Sequence, residues 1–244
     1  MAIEIVPLTE EDIPGTIECI QQAFADDPYF NWVFDSSKFN KKRNIGSLKA
    51  RCLWGINNAL FYVAKETPDQ KDKAVAPSSR VLGVSCWMPP QATDVPESWY
   101  SWIQSWILSF RQLVNNVRFL GRGGLNTRRY WIWKAVQEEA QKEIWTDPKG
   151  YYFCNIVAVS PEAQGKGIGR KLFEVVTTQA DEKGMKCYLE SSKGHPNVEI
   201  YKKMGFEMVR EMDCRDGEDV CKASTALRQA VSPVASRCFS ILVV

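Results

Sequence analysis

The sequence predicts an α/β chain of the layered α+β kind: a central sheet flanked by helices, with a tryptophan-rich helical insert. Three observations predict it. From residue 151 to 213, apolar runs of strand length alternate with stretches of helical period. The turn Gln164-Gly165-Lys166-Gly167-Ile168-Gly169 joins one such strand to the helix that follows it. Finally, 244 residues with 45% apolar content suffice for one well-packed core, and no linker divides them, so residues 1–244 read as a single domain.

The elements follow in order. Ile3 to Val6 reads as a short first strand. Thr9-Glu10-Glu11-Asp12 has the form of a capping box, and Ile13, Ile17, Ile20 and Phe24 recur at helical spacing, predicting a helix over 10–25 that Asp26-Asp27-Pro28 breaks. Residues 38–57 read as helix, and 60–64 and 80–88 as strands around a polar stretch, 66–79, expected to be a hairpin loop. The insert, about 97–146, places Trp99, Trp102, Trp106, Phe110, Leu113 and Val117 at steps of three or four, which predicts one apolar helix stripe. A second helix is expected from about Thr127 to Trp145. Most of the insert's six tryptophans are expected to pack on the sheet, with one or two lining a pocket. Strand 151–159, helix 166–183, strand 186–191, helix 196–204 and strand 206–213 complete the core. The tail 221–244 either supplies a last strand from its apolar end, Ile241 to Val244, or leaves that strand missing; the same apolar end reads as an association edge.

Composition removes several classes of function. With 31 basic and 29 acidic residues, the formal net charge is +2, and nothing asks for a nucleic-acid partner. No run of about 18 apolar residues is present, and the first residues lack the basic-then-apolar pattern of a secretory signal. No membrane partner and a cytoplasmic location are therefore expected. Eight cysteines without a Cys-x-x-Cys pair read as buried reduced thiols, and a single histidine with no ligand spacing leaves no metal site to propose.

The glycine turn carries the chemistry. A strand, a glycine-rich turn and a helix start together present backbone N–H groups that lack helical partners, at the positive end of the helix dipole. A phosphate-bearing ligand fits there. The turn lacks the Gly-Lys-Ser/Thr of a P-loop and the glycine spacing of a dinucleotide fingerprint. It reads Gln-x-x-Gly-x-Gly, after a strand ending at Val159-Ser160-Pro161. Downstream lie Tyr188-Leu189-Glu190-Ser191-Ser192 and Tyr201-Lys202-Lys203-Met204-Gly205-Phe206.

Together these resemble the acyl-CoA turn, the Leu-Glu-x-Ser element and the Tyr-x-x-x-Gly-Phe element of the GNAT superfamily of N-acetyltransferases. Ala23 to Pro28 and the strand ending at Trp87 resemble the puromycin N-acetyltransferase branch and its fungal relatives. The likeness covers roughly 3–34, 60–65, 80–90 and 151–213. It implies a GNAT fold with a splayed, mixed, mostly antiparallel sheet. It implies acetyl-CoA as the cofactor, with its pyrophosphate on the amides of Gln164, Gly165, Lys166, Gly167, Ile168, Gly169 and Arg170. Its pantetheine would run beside Val157, Ala158 and Val159, pairing through the backbone of Val157 and Val159.

The resemblance also implies two catalytic residues. Tyr201 matches the tyrosine beside the thioester sulfur; a phenol of pKa about 10 is protonated at neutral pH and suits a proton donor. Its alternative is packing beside Met204. Glu190 is the candidate base for the acceptor ammonium, directly or through water; its alternative is a solvated or salt-bridged glutamate. Asn197 either contacts the cofactor arm or caps its helix, and His195 is either a surface residue or a base. The acceptor is expected to meet Asp26, Asp27, Phe30 and Trp32 on the loop after the first helix, and Trp87 at a strand end, a set suited to a cationic, partly apolar amine. Asp26 alternatively caps the chain before Pro28. The expected function is transfer of an acetyl group to a small-molecule amine by a monomer or homodimer. The alternatives are acetylation of protein lysines or N-termini, and a non-catalytic acyl-CoA sensor.

Overall fold

The computed structural model describes residues 2–67, 80–96 and 98–231. Most of the expected hairpin loop 66–79, and the apolar tail from residue 232 on, lie outside the described residues. The first strand, β1 (Ala2–Pro7), leads into a 3-10 turn and α1 (Ile13–Ala23). Asp12 fixes that start: its Oδ2 accepts from Thr9 N (3.2 Å) and Thr9 Oγ1 (2.7 Å), and its Oδ1 lies 2.6 Å from Lys65 Nζ. The chain continues through α2 (Pro28–Val33), α3 (Lys41–Asn58), β2 (Leu60–Thr67) and β3 (Val81–Met88). The insert forms α4 (Trp99–Arg118) and α5 (Thr127–Ile144). Then come β4 (Tyr151–Val159), α6 (Ile168–Glu182), β5 (Lys186–Ser191), α7 (Asn197–Lys203), β6 (Glu207–Asp216) and β7 (Asp219–Arg228).

The strands form one seven-stranded sheet in the order β1-β2-β3-β4-β5-β7-β6, antiparallel throughout except for the β4–β5 pair. The last strand among the described residues is β7, which slots between β5 and β6. On one face, Ile13, Ile17 and Ile20 of α1 pack on Phe61, Val63, Val84, Cys86 and Ala158. On the other, Ile168 and Leu172 of α6 meet Ala64 and Leu82, while Phe173, Val176 and Ala180 meet Tyr152, Cys154, Leu189 and Phe206. The helical periods read from the sequence are the stripes that cover the sheet.

The insert departs from expectation. Only Trp133 and Trp145 pack; Trp99, Trp102, Trp106 and Trp131 are 80%, 47%, 61% and 64% exposed. The reason is polar. On α4, Asn115 Nδ2 donates to Arg43 O (2.9 Å) and Gln112 Nε2 to Ser47 O (3.0 Å), while Asn116 Oδ1 accepts from Arg43 Nη2 (2.6 Å). The helix sits on α3 by its polar side and turns its apolar stripe outward.

Candidate active site

The site begins where β4 and β5 part. They pair in parallel only from Tyr151↔Lys186 to Cys154↔Leu189. At the next residue, Asn155, β4 carries a bulge against β3: Cys86 faces Ile156 and Trp87 faces Cys154. A bulge inserts one residue and bends the strand. Beyond it, Ile156 and Ala158 pack on the α1 face, whereas Val157 and Val159, like Cys154 before the bulge, pack on the α6 face. Ser160 N donates to Leu82 O (2.9 Å), so by the two-residue alternation Ala158 is turned toward β3. The backbone groups of Val157 and Val159 then point into the opening; Val159 O accepts from Gln164 Nε2 (3.3 Å).

On the α6 side of the opening lies the glycine turn. Gly165 and Gly167 adopt φ of +76° and +74°, a region that L side chains rarely enter. The first helical bond of α6 is Lys171 N to Gly167 O (3.1 Å). The six N–H groups from Gly165 to Arg170 therefore have no acceptor among the described residues. A Cβ at Gly165 or Gly167 meets nothing within 4 Å, so the turn leaves open space before those amides. Free donors, a helix start and open space are what a diphosphate needs, and the residues fit the pyrophosphate arm of acetyl-CoA.

Tyr201, on α7, is buried on the same face, with its ring 5.7 Å from that of Phe173. Burial pushes its phenol well above the ordinary value, Cys154 adds to the rise, and Ser191 opposes it. Ser191 Oγ donates to Lys193 O (2.9 Å) and accepts from Asn197 Nδ2 (3.3 Å). Asn197 therefore ties the start of α7 to the end of β5; the cap position of the helix is Pro196, and no side chain caps it.

Glu190 lies on the opposite face of β5, under α5. Its carboxylate accepts from Gln137 Nε2, from Gln141 Nε2 (3.2 Å) and from Tyr188 OH (2.9 Å). Burial raises the pKa of its carboxyl above the usual carboxylate value, and these donors, led by Gln137, only partly offset the rise. Among the described residues it has no salt bridge. Its nearest cation, Lys134, bonds to Gln137 Oε1 (2.6 Å) instead.

The acceptor loop is latched to the same region. Asp27 Oδ1 caps α2 by accepting from Phe30 N (3.0 Å), and its Oδ2 accepts from Ser192 Oγ (2.7 Å). Asp26 lies 2.8 Å from Lys193 Nζ. Both carboxylates thus hold the α1–α2 loop against the end of β5. Phe30 is half-buried, with its ring tilted against that of Phe34 at 4.6 Å. Two expected pocket residues offer no face to an acceptor. Trp87 is fully buried, edge-on to Phe173 at 5.2 Å, because its strand position points into the α6 core. Trp32 is buried with the Arg129 guanidinium 5.4 Å above its ring. His195 is exposed and 3.3 Å from Glu199, away from Glu190's partners.

Sequence reasoning missed Gln137, Gln141, Asn155 and Ser191. The i, i+4 pair of glutamines on one helix face was the available signal for the first two. A cavity of about 440 Å³ between α1 and the start of β3 includes none of Tyr201, Glu190 or the glycine turn. Its two cations are already paired, Lys65 with Asp12 and Arg80 with Glu162.

Comparison with known proteins agrees with this geometry. The profile of the acetyltransferase (GNAT) domain matches residues 126–208, from the start of α5 into β6. An uncharacterised N-acetyltransferase of Schizosaccharomyces pombe is 32% identical over 124 residues, 51% of this chain and 47% of the relative, so the matched stretch spans about half of that protein. Among solved structures, a Drosophila melanogaster polyamine N-acetyltransferase that forms N-acetylagmatine superposes with a TM-score of 0.57 at 10% identity, covering 93% of this chain and 100% of that one. A histone acetyltransferase and related acetyltransferase of Corynebacterium glutamicum gives 0.55 at 18%, covering 96% and 99%. At such identities the likeness establishes the fold, which is the GNAT fold, and leaves the acceptor open.

Proposed function

From the premise that residues 126–208 are an acetyltransferase (GNAT) domain, in a chain with the GNAT fold and with acetyl-CoA as that domain's acetyl donor, we propose that this protein transfers an acetyl group to the primary amine of a small molecule. The observation that carries the proposal is the two-sided opening between β4 and β5. Unpartnered amides and Tyr201 lie on one face, and a donor-ringed carboxylate, Glu190, lies on the other.

Bound there, acetyl-CoA supplies an activated thioester. The amides of Gly165 to Arg170 hold its diphosphate, and the backbone of Val157 and Val159 aligns the arm as an added strand. An aliphatic ammonium, with a pKa of about 10, must lose a proton before its nitrogen attacks the carbonyl carbon and the C–S bond breaks. Glu190, its proton affinity raised by burial, takes that proton directly or through water. Tyr201 would stand beside the thioester sulfur. Its phenol sits above 10 while a thiol sits at about 8.5, so complete proton transfer to sulfur runs uphill. Its contribution is a hydrogen bond that strengthens as thiolate charge develops.

A small acceptor fits better than a peptide because two elements close the acceptor face. The α1–α2 loop is fastened by Asp26 and Asp27, and α5 lies across Glu190. In this reading Asp27 orders the loop, Asp26 and Phe30 border the acceptor, and Trp32 and Trp87 support from behind. The motif resemblance to puromycin N-acetyltransferase belongs to this proposal and names no acceptor. We place the reaction in the cytoplasm, where the seven buried, unpaired cysteines among the described residues stay reduced.

The test is thiol release from acetyl-CoA across polyamines, amino sugars, arylamines, aminonucleosides and peptides. Turnover of one small-amine class above all peptides is expected; preference for peptides would overturn the acceptor assignment. Tyr201→Phe should lower kcat about 10- to 100-fold and leave acetyl-CoA affinity unchanged. Unchanged turnover would remove Tyr201 from the mechanism.

A further inference from the structure

Among the described residues, the apolar stripe of α4 has no partner. Trp99, Trp102, Trp106, Phe110, Leu113 and Val117 are between 47% and 80% exposed. A surface helix ordinarily turns such a stripe to the core. Here the polar side is the one that is fastened, through Gln112, Asn115 and Asn116 to Ser47 and Arg43 of α3. Asn115 is buried there, and a side chain at Gly46 would collide with it, so this seating of the helix is specific.

Charge says what the stripe meets. From Ser98 to Gln137 there is no aspartate or glutamate, although the whole chain is nearly balanced at 31 basic to 29 acidic residues. Arg111 and Arg118, seven residues apart, fall on one flank of the stripe, and Arg122 follows the helix. All three are exposed, and no carboxylate among the described residues pairs with them. An amphipathic helix with tryptophan, phenylalanine and leucine on one face and arginines at its flank is built to lie in a lipid–water interface, where indole rings partition and anionic headgroups attract guanidinium groups.

We propose that α4 docks this protein on anionic membrane surfaces, lying in the plane of the interface with its tryptophan stripe in the lipid. No helix among the described residues is long and apolar enough to cross a membrane, so the attachment is peripheral. A second copy is a poorer occupant. Stripe-to-stripe pairing would bring arginine flanks together with no carboxylate on α4 to meet them. The inference revises the expectation that no membrane is involved, and it is independent of the acetyl-transfer proposal.

The test uses the full chain in cosedimentation with vesicles of phosphatidylcholine alone or with about 30% phosphatidylserine, alongside tryptophan fluorescence. Binding to the anionic vesicles is expected, with a blue-shifted emission and a loss of binding at high salt. Trp106→Glu/Phe110→Glu should weaken binding at least about tenfold, and Arg111→Gln/Arg118→Gln should erase the preference for anionic lipid. Far-ultraviolet circular dichroism and thiol release, neither of which uses these residues, check that the variants fold. The proposal is overturned if anionic vesicles do not pellet the protein, or if the Trp106→Glu/Phe110→Glu variant still pellets. It is equally overturned if sedimentation velocity in lipid-free buffer reveals a dimer that this variant dissolves, which would give the stripe to a second copy.

Discussion

At the scale of single residues, Glu190 and its donors give the sharpest pH prediction. Burial raises the Glu190 carboxyl, and the bond from Gln137 lowers it again by favouring the charged form. A base must be deprotonated to work, so kcat/KM should rise with pH through the Glu190 titration, at a pH above the ordinary carboxylate range of about 4.3. Gln137→Leu removes a donor to the charged form, raises the titration further, and should move this acid limb to higher pH. A profile that moves down, or stays in place, would take Glu190 out of the proton path. Gly167 allows a second prediction. With φ at +74°, an alanine there costs about 1–2 kcal/mol in backbone strain although its Cβ meets open space. Gly167→Ala should weaken acetyl-CoA binding, measured by calorimetry, while the α6 start relaxes.

Among the elements, the α1–α2 loop and the end of β5 act as one unit through Asp27. Asp27→Ala loses the α2 cap and the Ser192 bond, about 2 kcal/mol together, read as a lower urea midpoint. Asp27→Asn keeps an acceptor for Phe30 N and places an amide donor against Ser192 Oγ, which can accept from it, so it should cost less. If the loop borders the acceptor as proposed, amine KM should rise in the alanine variant more than acetyl-CoA affinity falls. The elements legible in the sequence were those with strong periods. The Ile13, Ile17, Ile20 stripe gave α1, and the apolar runs 151–159 and 186–191 gave β4 and β5 with their ends correct. β7 was illegible because its buried residues, Cys221, Ala223 and Thr225 on one face and Ala226 on the other, are too small and polar to mark a strand. The α4 stripe was read correctly as a stripe and wrongly as a packing face, since a period says which residues share a side and not what that side meets. The glycine turn was legible because its chemistry is local. The Gln137–Glu190 contact, 53 residues apart, and the Asn155 bulge, set by the register against β3, exist only once the sheet is assembled.

For the molecule as a whole, the closure of the sheet depends on one clamp. Arg228, at the end of β7, bonds in two places to Asp181 of α6 (2.8 and 2.7 Å) and through Nε to Met204 O at the end of α7 (3.2 Å). The pair lies largely out of solvent, so Arg228→Leu leaves Asp181 without its counter-ion and should cost about 3 kcal/mol in denaturant unfolding. A double variant with Asp181→Leu should recover much of that loss. The placing of β7 has a further consequence for how the chain is made. Synthesis runs from β1 onward, and β5 leaves the ribosome with one edge bare until residues 219–228 follow it, because its neighbour on that side is the last strand described. Until then β6 also has no strand to join. The nascent chain therefore carries an unpaired edge in the middle of its eventual sheet, and a transcript cut short before Asp219 would yield an aggregation-prone fragment rather than a smaller working protein.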